Sequence, residues 1–154
     1  MDMTKPQLIV TSLPRLDELK DVINVGFHNI VQIHHTGKHN YKHLEFSNTI
    51  RHFDMEFDDY TDKSKEGAIT LQEVLKVFAI SNYIKNFAMD YPTYVSCYGG
   101  ISRSPAIAMG IYCVLGLTKQ SQRIAKEFPH YNQFVIDEII KEIWRRRDEE
   151  KNKH

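Results

Sequence analysis

The sequence predicts an α/β protein. It reads as a three-layer-like sandwich with a central, mostly parallel sheet flanked by helices. Three observations carry this. Short apolar, β-branched runs alternate along the chain with stretches of helical periodicity. One strand-like run, Tyr94–Cys97, passes through a glycine-containing turn straight into a helix. That helix is apolar on nearly all sides, as an element buried between layers should be.

The elements follow in order. Leu8–Thr11 is a short apolar run with β-branched members and reads as a strand. Leu16–Val25 has helical character and leads to a second strand near Ile30–Ile33. Residues 34–52 are polar and His-rich, with little periodicity. Arg51–Phe57 alternates, placing Phe53, Met55 and Phe57 on one face and turning Asp54 and Glu56 outward. Residues 58–69 form an acidic loop that contains a glycine.

Thr70-Leu71-Gln72-Glu73 has capping-box spacing and opens a helix to about Phe87. Its Leu71, Val74, Leu75, Phe78, Ile80, Ile84 and Phe87 recur at helical intervals. After the Tyr94–Cys97 strand, Ser104 and Pro105 suit a helix start. That helix runs to Leu115 and stops at Gly116. Thr118–Phe128 is a short helix. Asn132–Arg147 is the last, with Val135, Ile136, Ile139, Ile140, Ile143 and Trp144 inward. The Arg145-Arg146-Arg147 run then falls at a helix C-terminus, where positive charge complements the dipole. There is no internal repeat or low-complexity tract, so residues 1–154 are expected to form one domain.

Bulk properties narrow the function classes. With 42% hydrophobic and 26% charged residues, the chain has the composition of a soluble globular domain. Twenty Lys plus Arg balance twenty Asp plus Glu. That balance argues against nucleic-acid or anionic-membrane binding through bulk charge. No apolar stretch approaches the roughly 20 residues of a membrane span. Met1–Pro6 lacks the apolar centre of a signal peptide. Two cysteines argue for a reducing, cytoplasmic setting. Cys113 lies roughly 15 Å along the helix past Arg103, too far for a bridge to Cys97. It reads as a small buried apolar residue.

The segment Cys97-Tyr98-Gly99-Gly100-Ile101-Ser102-Arg103-Ser104 carries most of the functional signal. A tight loop entering a helix points successive N–H groups inward, and the helix dipole adds partial positive charge. Gly99 and Gly100 permit backbone conformations that a Cβ resists. Arg103 offers a planar fork that matches two phosphate oxygens. The loop from Tyr98 through Gly99, Gly100, Ile101 and Ser102 to Arg103 is therefore the expected phosphate-binding loop. At its base, the positive field favours a Cys97 thiolate, which beside a bound phosphate is an activated nucleophile. An ordinary strand–turn–helix around a structural cysteine would account for the spacing but not for this combination.

This octet resembles the C-x-x-G-x-x-R-S signature of the cysteine-dependent protein tyrosine phosphatases. It looks most like their compact dual-specificity branch and its small bacterial and phage relatives. The likeness extends to the Leu8–Leu13 opening strand, to Phe57-Asp58-Asp59, and to Pro129-His130-Tyr131-Asn132-Gln133-Phe134, which is similar to a late P-x-x-N-x-x-F element. One departure stands out. The family usually has His immediately before the Cys, where it helps order the loop and tune the thiol. Here that residue is Ser96, which keeps a hydroxyl for hydrogen bonding.

The resemblance implies a phosphomonoester hydrolase working through a phosphocysteine, without cofactor or metal, on a phosphorylated protein or peptide. It implies Cys97 as nucleophile, Arg103 as phosphate ligand and Ser104 as a donor to the departing sulfur. The family's acid follows an apolar-x-Asp pattern at a strand end, which fits Asp59. Asp58 and Asp62 remain alternatives on the same acidic loop, and the outward Asp54 and Glu56 are poorer ones. No basic residue lies inside the loop, which favours a phosphoprotein over an inositol phosphate. The alternative reading is a catalytically weak pseudophosphatase that captures phosphorylated partners, motivated by Ser96. His34, His35, His39 and His43 have loose ligand-like spacing, but no ligand set completes them. Asn132 is expected to support the phosphate loop or to cap the last helix.

Overall fold

The computed structural model describes residues 5–37, 46–62 and 65–153. Four strands, Leu8–Ser12 (β1), His28–His34 (β2), Thr49–Glu56 (β3) and Thr93–Cys97 (β4), form one sheet in the order β1-β4-β2-β3. Every pairing is parallel, so the expected mostly parallel sheet is parallel throughout. Parallel neighbours require crossovers, and helices supply them. On one side lie Leu13–Glu18 (α1) and Lys20–Ile23 (α2). On the other lie Leu71–Phe87 (α3), Arg103–Val114 (α4), Thr118–Glu127 (α5) and Gln133–Asn152 (α6).

Strand alternation divides the apolar side chains between two cores. Val31, Ile33, Val95 and Cys97 join Met55 and Phe57 in the larger core under α3, α4 and α6. Ile30 faces the other way and joins Leu16 and Ile23, with Tyr94 packed beside them. Helix α4 runs through the larger core, its residues from Arg103 to Tyr112 all buried. Gly110 lets α6 approach it closely, since a Cβ there would lie 2.5 Å from Ile139 Cδ1.

Several expectations are corrected. The stretch read as one helix over Leu16–Val25 is two short helices that start earlier. Ser12 Oγ accepts from Arg15 N at 3.2 Å, Pro14 stands in the first turn, and the chain breaks at Leu19. Strand β3 begins at Thr49, inside the stretch read as irregular. On α3 the buried stripe is Val74, Val77, Ile80 and Ile84, while Leu71, Leu75 and Phe87 face solvent. Helix α6 continues to Asn152, so Arg145–Arg147 do not lie at its end. Arg145 and Arg146 instead pair with the buried Glu142 at 2.6 and 3.2 Å. Trp144, expected inward, is 55% exposed under the Arg147 guanidinium. Cys113 is only half-buried, with its sulfur 3.3 Å from Ser121 Oγ, and both cysteines are free. His39 and His43 lie outside the described residues. No described helix is long and apolar enough to cross a membrane.

One polar cluster ties the ends of β2 and β3 together. Asp54 Oδ1 accepts from both His34 Nε2 at 2.6 Å and His52 Nε2 at 3.1 Å. Burial alone would push the Asp54 carboxyl up. The two imidazole bonds and their charge outweigh that and hold it well below its ordinary 3.8. A folded-state value below the unfolded one gives stability that is full above about pH 4 and fades as pH falls further. Asp54 is 41% exposed, so its contribution is screened to about 1 kcal/mol. Asp54→Asn is therefore expected to lower Tm at neutral pH by roughly 2–4 °C, with the gap from the native protein closing in acid. Thermal unfolding followed by circular dichroism across that range checks it.

Candidate active site

Strand β4 delivers Cys97 to the carboxyl end of the sheet, between β1 and β2, where open α/β sheets place ligands. The next residues wrap back over β1. Gly100 takes φ +71°, and a Cβ on it would lie 2.5 Å from Ser12 N and 2.8 Å from Thr11 C. Positive φ and close backbone approach together make glycine obligatory there. Gly99 has neither need: its added Cβ would meet only Ile101 Cγ1, at 3.8 Å. The expectation that both glycines shape the turn is thus corrected to Gly100 alone.

The loop closes around the sulfur. Gly100 N donates to Cys97 Sγ at 3.2 Å, and Ser104 N donates to the same sulfur at 3.4 Å. Ser104 Oγ lies 3.2 Å from the same atom. In the thiol, S–H donates to that hydroxyl; in the thiolate, the hydroxyl turns and donates to sulfur. Ser104 is therefore not the helix cap. Helix α4 starts at Arg103, and Ser102 occupies the cap position without a side-chain capping bond. Among the described residues, the N–H groups of Tyr98, Gly99, Ile101 and Ser102 take no protein acceptor. They stand free for an oxyanion beside the positive end of α4.

Arg103 is 4% exposed, and Nη1 donates to Phe57 O at 2.9 Å. No carboxylate among the described residues pairs with it. A buried guanidinium satisfied by one carbonyl is costly unless an anion completes it. Ser96 is turned to the opposite face of the sheet from Cys97. Its Oγ is buried without a hydrogen-bond partner, so its hydroxyl does not serve the loop. Tyr98 and Ile101 are exposed at the rim, and the His35 ring lies 6.4 Å from that of Tyr98.

The two adjacent aspartates have different surroundings. Asp58 is anchored: Thr36 N donates to Oδ1 at 3.0 Å, Thr36 Oγ1 to Oδ2 at 2.6 Å, and His35 Nδ1 stands 3.5 Å away. Burial opposes ionisation there, but these donors prevail and hold Asp58 below its ordinary value. Asp59 faces the loop between Cys97 and Arg103. Its Oδ1 accepts from Ser102 Oγ and from Asn132 Nδ2, each at 2.7 Å. Asp62 is exposed, and its carbonyl accepts from Lys65 N at 3.2 Å.

Asn132 performs both of its expected tasks. Its Oδ1 accepts from Val135 N at 3.1 Å, capping α6, and its backbone N donates to Ser102 O at 3.0 Å. Its Nδ2 also holds Tyr60 O at 3.1 Å. Sequence reasoning missed Thr36 as the anchor of Asp58 and Phe57 O as the acceptor for Arg103. Neither carries a local signal, because each contact joins segments more than 20 residues apart. Among the described residues, no group of three or more His, Cys, Asp or Glu side chains is arranged to hold a metal ion.

No family model matches the sequence, and no curated protein matches it. Solved structures do. One is the human tyrosine phosphatase-like serine/threonine/tyrosine-interacting protein, at TM-score 0.53 and 16% identity, over 84% of this chain and 80% of that one. Another is PTPMT1 in complex with PI(5)P, at TM-score 0.57 and 16% identity, over 93% of this chain and 96% of that one. A likeness at this identity concerns backbone architecture. The chain has the α/β fold of tyrosine phosphatase-like proteins, with its Cys-x5-Arg loop between a sheet strand and the buried helix α4.

Proposed function

We propose that this chain is a phosphomonoester hydrolase of the tyrosine or dual-specificity type, acting through a phosphocysteine. The observation that carries the reading is a buried Arg103, with no carboxylate partner among the described residues, beside a sulfur surrounded by donors. In the first step the Cys97 thiolate attacks phosphorus in line, forming the S–P bond. Arg103 and the loop N–H groups hold the non-bridging oxygens. The P–O bond to the leaving group breaks, and protonated Asp59 gives its proton to that oxygen. In the second step Asp59 takes a proton from water as the water attacks phosphorus. The S–P bond breaks, Ser104 donates to the departing thiolate, and inorganic phosphate forms. Positioning and electrostatic stabilisation carry such transfers, and Arg103 with the loop backbone supplies the positive field.

A phosphorylated protein or peptide is the favoured substrate. The loop residues between Cys97 and Arg103 carry no positive charge for the extra phosphates of a polyphosphoinositide. The complex of PTPMT1 with PI(5)P makes that lipid class the natural comparison. Purified protein is expected to release phosphate from phenyl phosphate and from phosphopeptides in the presence of EDTA, with lower kcat/KM on soluble inositol lipids. Phosphate release measured on all three checks it. Loss of activity in EDTA, restored by zinc or manganese, would overturn the metal-free mechanism.

The second reading, a module that captures phosphorylated partners, has one observation in its favour. Ser96 is buried and unpartnered where the resembling family has a loop-ordering His. Absence of turnover alongside tight phosphopeptide binding is its signature.

A further inference from the structure

We propose that Ser102 and Asn132 are positioning residues that clamp one oxygen of Asp59 and thereby aim the other at the leaving group. The proposal rests on the reading of Asp59 as general acid. Asp59 lies on an exposed loop, where an untethered carboxylate would sample several rotamers. Here Oδ1 takes two short bonds, from Ser102 Oγ and Asn132 Nδ2, both at 2.7 Å. With Oδ1 so engaged, Oδ2 is the oxygen available to carry and release a proton.

The two donors are themselves joined. Asn132 N donates to Ser102 O at 3.0 Å, and Asn132 Nδ2 also holds Tyr60 O, the carbonyl next to Asp59. Ser102 immediately precedes Arg103, so the clamp references the acid to the same loop that binds phosphate. Its hydroxyl stands at the cap position of α4 yet makes no capping bond, being given to Asp59 instead. A serine there would ordinarily cap the helix. Asn132 is 3% exposed, so its amide is fixed by burial as well as by bonding. Acid and phosphate loop are thus held in one frame before any substrate enters, the kind of preorganisation on which proton transfer depends.

The test is a leaving-group comparison in a double-mutant cycle. Turnover of phenyl phosphate, whose leaving group needs a proton, is compared with that of 2,4-dinitrophenyl phosphate, whose leaving group does not. Ser102→Ala is expected to raise the dinitrophenyl-to-phenyl ratio of kcat by about tenfold, within the range of general acid effects. Ser102→Thr should restore most of it. Asn132→Asp keeps an acceptor for Val135 N but loses the Nδ2 donor, and should shift the ratio in the same direction with the helix cap retained. In an Asp59→Asn background, neither change should move the ratio further, because the group they position is gone.

Equal losses on both substrates, or effects additive with Asp59→Asn, would reduce the clamp to a purely structural contact and overturn the proposal. The underlying reading fails differently. If Asp59→Asn alone leaves the ratio untouched, Asp59 is not the acid and the clamp has no catalytic role. If Asp59→Asn shifts the ratio and Ser102→Ala does not, only the clamp is wrong. Native protein without turnover overturns both.

Discussion

Replacing Cys97 by serine is expected to abolish phosphate release while leaving oxyanion binding in place. The sulfur is the attacking atom of the first step in the proposed mechanism, and a serine hydroxyl at the same place is a far weaker nucleophile. Loss on the order of 10⁴-fold or more in kcat is the expected scale for removing such a group. The binding machinery is separate from it. The Arg103 fork, the free N–H groups of the loop and the positive end of α4 persist in Cys97→Ser. Tungstate titrated against the variant, by calorimetry or thermal shift, should therefore bind much as it does to the native protein. Cys113→Ser is the control: that sulfur meets Ser121 on the α5 side. Loss of turnover in Cys113→Ser with retention in Cys97→Ser would remove the nucleophile assignment outright.

The sequence made the central strand–loop–helix legible because three independent signals coincide there. The β-branched strand, the turn residues and the all-apolar helix each point to the same boundary. The sheet was legible for a related reason, as buried parallel strands are short apolar runs separated by helical stretches. What escaped is mostly which residues the packing buries. Nothing local tells that Trp144 lies outside while Ile143 packs inward, since both fit the same helical period. The Arg145–Arg147 run reads as a terminal charge cluster until Glu142 is found buried beneath it. Gly99 and Gly100 look alike in sequence. Only the proximity of β1, whose Ser12 pairs in register with Cys97, makes one indispensable and the other ordinary. Asp58 and Asp59 are told apart in the sequence only by the apolar-x-Asp pattern of the resembling family; in the structure Thr36 takes the first and Ser102 with Asn132 the second. The residue types of the candidate site were thus legible in the sequence, and the contacts each one makes only in three dimensions.

Those contacts lead to the other large effect. Asp59→Asn is expected to depress kcat on phenyl phosphate by about 10²- to 10⁴-fold, the usual range for losing a general acid. On 2,4-dinitrophenyl phosphate the loss should be far smaller, because that leaving group departs as an anion without help. Asn132 and Ser102 remain to hold the asparagine by its Oδ1, so the substitution removes the proton with little disturbance of the loop. Asp58→Asn makes a stringent comparison. It weakens the Thr36 anchor and the His35 pairing, and so should lower stability, but it should show no leaving-group dependence. If Asp58→Asn showed that dependence and Asp59→Asn did not, the 58–62 loop would have to turn over during catalysis. Asp58 would then have to leave two Thr36 bonds and rise past Gly67, whose carbonyl takes its N–H at 2.7 Å. Breaking those contacts is costly, and the donors at the Cys97–Arg103 loop, Ser102 Oγ and Asn132 Nδ2, are already held by Asp59, which is why the effect is assigned to Asp59.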